Sequence, residues 1–189
     1  MPKIVDHDSY RKELLSQCFD LFAEKGYAAL TMRQIAQGLG VSTGTLYHYF
    51  PNKEMLFEQM VREMTLQDIQ NAGVEIKKQT TTLDRIEAVF RFIEAHEDYF
   101  IKQTLIWVEF YQQQKREDGD RITIFQEIWK GNEQEISNLL GIRDQALLDF
   151  LCCSIDGMLL HRMFDRDKFS FQTQMQFLIQ IIKPYLEKI

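Results

Sequence analysis

The sequence predicts an all-α protein of about nine helices, with an N-terminal three-helix helix-turn-helix unit and a C-terminal helical bundle. Three observations carry this. Apolar residues recur at three- and four-residue spacing in successive segments, and none shows period-two alternation with hairpin turns. Two short segments open on capping residues, Thr31 and Ser42, and are joined through Gly40. The stretch Gly26–Asn52 holds no acidic residue in a chain with 28 of them.

The first helix is expected from a cap at Asp8 or Ser9 to about Lys25. Leu14, Leu15, Cys18, Phe19 and Phe22 share one face, and Lys25-Gly26 is a typical C-terminal end. Arg11 and Lys12 either touch phosphate or are simply solvated. In the second helix Thr31 and Gln34 have capping-box spacing, with Leu30 and Ile35 at the staple positions around them. Gly40 supplies the positive φ that ends it. Ser42 caps the third helix, and Val41 and Leu46 staple it.

That third helix exposes an unusual face. Leu46 and Phe50, four apart, share its buried side. The other side carries Thr43, Gly44, Thr45, Tyr47, His48 and Tyr49, groups suited to phosphate oxygens and base edges. Gly44 costs helix stability, which suggests close approach to another surface. An acid-free stretch fits a surface that faces phosphates. Thr31, Tyr47, Tyr49 and Lys53 are expected to anchor phosphates. Arg33, Thr43, Gly44, Thr45 and His48 are expected at base edges or the neighbouring backbone, and Ser42 is a further candidate for the DNA-binding set.

The pattern resembles the TetR family of bacterial transcriptional regulators. The matching residues are Thr31, Ile35, Ala36, Gly40, Val41, Ser42, Gly44, Leu46, Tyr47, Tyr49, Phe50, Lys53 and Leu56, within Tyr10–Phe57. The resemblance implies a homodimer on a near-palindromic operator in double-stranded DNA, and a C-terminal effector domain that varies between members. It divides the chain into residues 1–52, which bind DNA, a connecting helix over 53–78, and residues 79–189, which bind the effector and dimerise.

Past Pro51, Asn52 is the expected cap of a long helix to about Lys78, with Phe57, Val61 and Met64 in its stripe. Its N-terminus offers free N–H groups to a phosphate. Further helices are expected over Leu83–His96, Tyr99–Gln114, Arg121–Leu140, Asp144–Phe164 and Phe171–Leu186. His96-Glu97-Asp98 reads as a corner, Lys115–Asp120 as a charged loop and Gly141 as a helix end. Tyr99–Gln114 is apolar nearly all round and is expected to be buried centrally. Pro184 is expected to loosen or kink the last turn.

Charge is unevenly spread. Residues 1–60 hold six Lys+Arg and seven Asp+Glu, whereas residues 61–189 hold 16 and 21. A near-neutral reading head implies moderate non-specific DNA binding. Cys18, Cys152 and Cys153 make no disulfide framework and fit reduced thiols in a cytoplasmic protein. The start of the chain lacks the apolar core of a signal peptide, and no stretch is apolar enough to span a membrane.

Residues 61–189 hold 15 of the 23 aromatics. Phe90, Trp107, Phe110, Tyr111, Phe125 and Trp129, with Met158 and His161, are the candidate lining of a small-molecule site. Glu109 and Asp156 are further polar candidates. The acid excess mildly favours a neutral or cationic lipophile over an anion, and aromatic faces suit a cation. Leu148, Cys152, Ile155 and Leu159, with Phe177 and Ile181, are the candidate dimer interface of the last two helices, where Gly157 allows close approach.

No HExxH, CxxC, GxSxG or phosphate-binding glycine loop occurs. His96 with Glu97, and His161 near Asp156, lack spaced partners for a metal or catalytic constellation, so neither an enzyme nor a cofactor is expected. The expected function is a ligand-responsive regulator, a repressor that leaves its operator when a small lipophilic or aromatic effector binds. The competing readings are a DNA-bound structural or cell-division factor without an effector, and a helical ligand carrier with a vestigial DNA head.

Overall fold

The computed structural model describes residues 6–118 and 124–188, apart from the side chains of residues 117 and 118. Capping side chains decide where its helices begin. α1 (His7–Lys25) is capped by Asp6, whose carboxylate accepts the N–H groups of Asp8 and Ser9. The cap thus precedes the expected Asp8 or Ser9, because Asp6 keeps extended backbone while those two are already helical. α2 (Met32–Gly38) has both halves of its capping box: Thr31 N–H donates to Gln34 Oε1 at 2.9 Å, and Gln34 N–H to Thr31 Oγ1 at 3.4 Å. α3 (Thr43–Tyr49) starts at Ser42, whose hydroxyl accepts Thr45 N–H at 2.9 Å. Gly40 between them has φ +67°, the turn conformation expected of it.

Asn52 Oδ1 accepts Met55 N–H at 2.7 Å at the start of α4 (Lys53–Ile76). α5 (Thr82–Ala95) is capped by Thr81. α6 (Glu97–Asp118) begins inside the expected corner and turns Glu97 and Asp98 into a first turn that complements the helix dipole. α7 (Ile124–Leu140) ends at Gly141, φ +74°. The expected charged loop is helical through Asp118; its remainder, and the expected helix start at Arg121, lie outside the described residues. Asp144 caps α8 (Gln145–Phe164) and Ser170 caps α9 (Phe171–Leu186). α9 continues through Pro184, because a proline this near the end removes a single N–H from the ladder. The described residues form nine helices and no strand.

Backbone contacts divide the chain into two compact units. One is Met1–Gln67 with Gln103–Ile128, the other Asp68–Lys102 with Trp129–Ile189. In the first, Leu14, Leu15, Cys18 and Phe22 of α1 are buried together with Ile35, Leu46, Phe50, Leu56 and Phe57. Phe57 and Phe110 stack at 4.1 Å, and Tyr27 meets both rings edge-on at 5.0 Å. α6 is less buried than expected. Ile106 and Phe110 are inside, but Leu105, Val108 and Tyr111 are 49%, 48% and 43% exposed. Its apolar residues therefore cover two faces, of which the chain buries one.

In the second unit the core gathers Ile86, Phe90 and Ile93 of α5, Leu147, Leu148, Leu151 and Leu159 of α8, and Phe171, Met175, Leu178 and Ile182 of α9. Glu97 ties the start of α6 to the end of α8, accepting from Arg162 Nε at 2.8 Å and Arg166 Nη2 at 2.7 Å.

Candidate nucleic-acid interface

α3 is held from behind and open in front. Leu46 and Phe50 are fully buried, which fixes the helix against α2. Their burial turns the polar residues outward. Gly44 and His48 are exposed, Tyr47 is 50% exposed, and Thr43, Thr45 and Tyr49 are half-buried. A Cβ built on Gly44 would meet only Ser42 Oγ, at 3.7 Å. Packing within the chain therefore does not require glycine there, and its missing side chain leaves the outer surface flat.

Arg33 and Thr31 are exposed at the start of α2. The Thr31 hydroxyl donates to Gln34 Oε1 at 2.7 Å, and Ser42 and Thr45 hydroxyls lie 2.7 Å apart. Thr31 thus spends its one hydroxyl proton inside the cap, which leaves it no donor for the phosphate contact expected of it in this arrangement. Lys53 is placed differently from the expected phosphate contact. Its ammonium donates to Tyr27 O at 3.0 Å and Leu30 O at 2.9 Å, and lies 4.2 Å above the Tyr27 ring. In this arrangement it fixes the turn that leads into α2.

Glu109 grips the same turn. Its carboxylate accepts the N–H groups of Tyr27 and Ala28, each at 2.9 Å. It is engaged with backbone amides rather than free to meet a ligand. No local pattern announces this, since its partners are some 80 residues away in sequence. Arg11 and Lys12, left between phosphate and solvent, engage α4 through Gln59 at 2.9 Å and Glu63 at 2.7 Å. His7 escaped the sequence reading altogether. Its Nδ1 lies 2.8 Å from the Tyr49 hydroxyl.

The expected effector residues fall in both compact units. Trp107, Phe110, Tyr111 and Phe125 belong to the first, and Phe90, Trp129, Met158 and His161 to the second. Phe90 and Phe110 are core side chains, 0% and 1% exposed, with no surface left for a ligand. Trp107 and Phe125 are half-buried, 5.6 Å apart. Tyr111 and His161 are exposed, and the His161 ring lies 4.7 Å from Phe169. An open cleft of about 380 Å³ in the second unit is lined by Lys77, Arg85, Glu135, Asn138 and Leu139, none of them expected.

Of the expected dimer residues, Leu148 and Leu159 are buried in the chain's own core. Cys152 and Ile155 are half-buried, and Phe177 and Ile181 are 61% and 53% exposed. The outward stripe of α8 is instead Phe150, Cys153, Gly157, Leu160 and Phe164, at alternating spacings of three and four. Burial pushes the Cys18 thiol up to about 12, and burial followed by Asp156 and Asp149 does the same for Cys152.

A capped helix pair whose second helix offers a polar outer face, in a chain whose described residues are helical, forms a helix-turn-helix. Residues 14–60 match the model of the bacterial regulatory proteins, tetR family. Over these residues the chain is similar to the TetR family. It is 30% identical over 122 residues to the HTH-type transcriptional regulator BetI of Rhizobium meliloti, across 64% of this chain and 60% of that one. It is 44% identical over 55 residues to the HTH-type transcriptional repressor KstR2 of Mycobacterium tuberculosis, across 29% of this chain and 28% of that one. The chain thus spans less than two thirds of either relative. A transcriptional regulator from Saccharomonospora viridis, solved in complex with choline, shares the fold with TM-score 0.70 and 19% identity, across 94% of this chain and 97% of that one.

Proposed function

We propose that the protein is a cytoplasmic homodimer that binds a palindromic operator in double-stranded DNA. It represses transcription until a small lipophilic or aromatic effector enters its C-terminal domain. The observation that carries this is α3: two buried apolar anchors turn a flat, hydroxyl-rich face outward on a segment without a single acid. Tyr47 and Tyr49 suit phosphates, and Thr43, Gly44 and Thr45 suit base edges.

Dimerisation is supported by the apolar surface that α8 and α9 leave uncovered. Phe150, Leu160, Phe164 and Phe177 are 47%, 49%, 75% and 61% exposed. A second copy of the same helix pair covers such a patch symmetrically. The lipophilic or aromatic character of the effector is supported by the aromatic content of the C-terminal half; the choline complex of a protein with this fold supports small-molecule binding alone. α4 and α6 each contribute residues to both compact units. A displacement of either helix changes the spacing of two recognition helices, which must match helical turns of DNA.

Selection of bound duplexes from a random pool, at near-physiological salt, tests the reading. One palindromic motif, from which added effector releases the protein, supports it. A motif that no small molecule releases replaces it with a DNA-bound structural factor, and no motif at all overturns the operator.

A further inference from the structure

We propose that His7, from outside the helix-turn-helix, forms with His48 and Tyr49 a two-imidazole cradle for one DNA backbone phosphate, and that binding there takes up protons. The inference rests on the DNA-binding reading above. His7 Nδ1 lies 2.8 Å from the Tyr49 hydroxyl. The His7 and His48 rings are 6.2 Å apart, and the His48 ring meets the Tyr49 ring edge-on at 5.0 Å. Both histidines are exposed, while Tyr49 is half-buried and braced edge-on by Tyr10 at 5.7 Å.

A phenol has one proton to donate and lone pairs to accept. When His7 Nδ1 carries a proton, it donates to the Tyr49 oxygen. The Tyr49 proton then points outward, toward the acceptor that a phosphate supplies. The neutral Nδ1–H tautomer already makes this bond; protonation of Nε2 as well keeps it and places a cation beside that phosphate. Histidine is the side chain whose ordinary titration falls between pH 5 and 8, and an adjacent anion favours its charged form.

The surroundings allow this charge to count. α3 contributes His48 and Tyr49, and no acid lies between Gly26 and Asn52. The next charges along the chain are Lys53 and Glu54. α1 contributes Tyr10, Arg11, Asp6 and Asp8. Arg11 is hydrogen-bonded to Gln59; Asp6, which caps α1, and exposed Asp8 flank His7, and the Asp6 carboxylate interacts electrostatically with it, so these anions favour the charged imidazole while opposing a phosphate. Arg33 is the lone Lys or Arg within the acid-free stretch, so one or two imidazolium charges are a large fraction of what it presents.

The test measures affinity of the full chain for a short random-sequence duplex across pH and salt, since backbone contacts do not need the operator. The wild type is expected to bind about five- to tenfold tighter at pH 6 than at pH 8, with a salt slope steeper at pH 6 by about one contact. His7→Gln should lose most of that gain, with an unchanged melting temperature at pH 8. His7→Lys should restore the steep slope at both pH values and flatten the pH dependence, which a purely structural His7 would not do. Identical pH profiles and slopes for wild type and His7→Gln overturn the histidine proposal alone. Failure of the wild type to retain any duplex at low salt overturns the DNA reading and this proposal together.

Discussion

Phe57 and Phe110 stack face to face, 4.1 Å between ring centroids and 15° from parallel. The pair joins α4 to α6 within the unit that contains the reading head. Phe110→Ala should therefore cost about 3–5 kcal/mol of stability, the usual range for a buried Phe truncated to Ala. Val108→Ala, on the exposed flank of the same helix, should stay within about 0.5 kcal/mol. Denaturant titration of both variants checks this. Equal, small losses would return Phe110 to the role of a pocket wall.

Tyr47 and Thr43 stand on one short helix but should fail differently. Tyr47→Ala removes an expected phosphate contact and should weaken binding roughly fivefold on all sequences, the worth of about 1 kcal/mol. Thr43→Ala should instead change which duplexes are selected from a random pool. Unfolding of the domain by both would show that neither role was assigned correctly.

Phe164→Asp should yield a folded monomer, because Phe164 is 75% exposed and touches no core. Leu159→Ala should instead lower stability by about 2–5 kcal/mol, as a core residue does. Sedimentation separates the two cases. Thiol labelling adds a footprint: Cys153 is exposed on the single chain and should react quickly in the monomeric variant and slowly in the dimer. Cys18, buried and with its thiol at about 12, should stay unlabelled in both.

Arg162, by hydrogen bonding, and then Arg166 hold the Glu97 carboxyl below its usual range against the opposing effect of burial. A depressed folded-state value means stability that is present above the unfolded value of roughly 4.3 and is lost as pH falls through the lower folded one. Glu97→Gln should therefore melt below the wild type at neutral pH, and the gap should close as the solution is acidified below about pH 4. A gap that stays constant into strong acid would remove the ion pair from the account.

Local chemistry was legible in the sequence, and long-range chemistry was not. Thr31 with Gln34, Ser42, Gly40, Asn52, Asp144 and Gly141 act within a few residues of themselves, so spacing alone located the helix ends. Lys53 and Glu109 act on a turn that is 23 to 82 residues away, and nothing near either residue signals it. α8 was ambiguous for a different reason. Its apolar residues run around the whole helix, so periodicity could not say that Leu148 and Leu159 face inward while Phe150, Leu160 and Phe164 face out. The effector residues were chosen for aromatic size, which serves a core as well as a pocket, and Phe90 and Phe110 went to the core.

The turn after α1 is gripped from both electrical sides: Glu109 takes its amides while Lys53 takes its carbonyls. Gly26 at its head has φ +82°, and any Cβ there would come within 2.9 Å of Glu109 Oε1. Surface turns normally trade their amide protons with water in the fastest class of a protein. In this one the Tyr27 and Ala28 amides should be among the slow exchangers, keeping pace with the interior of α1 and losing their protons only when the whole unit opens.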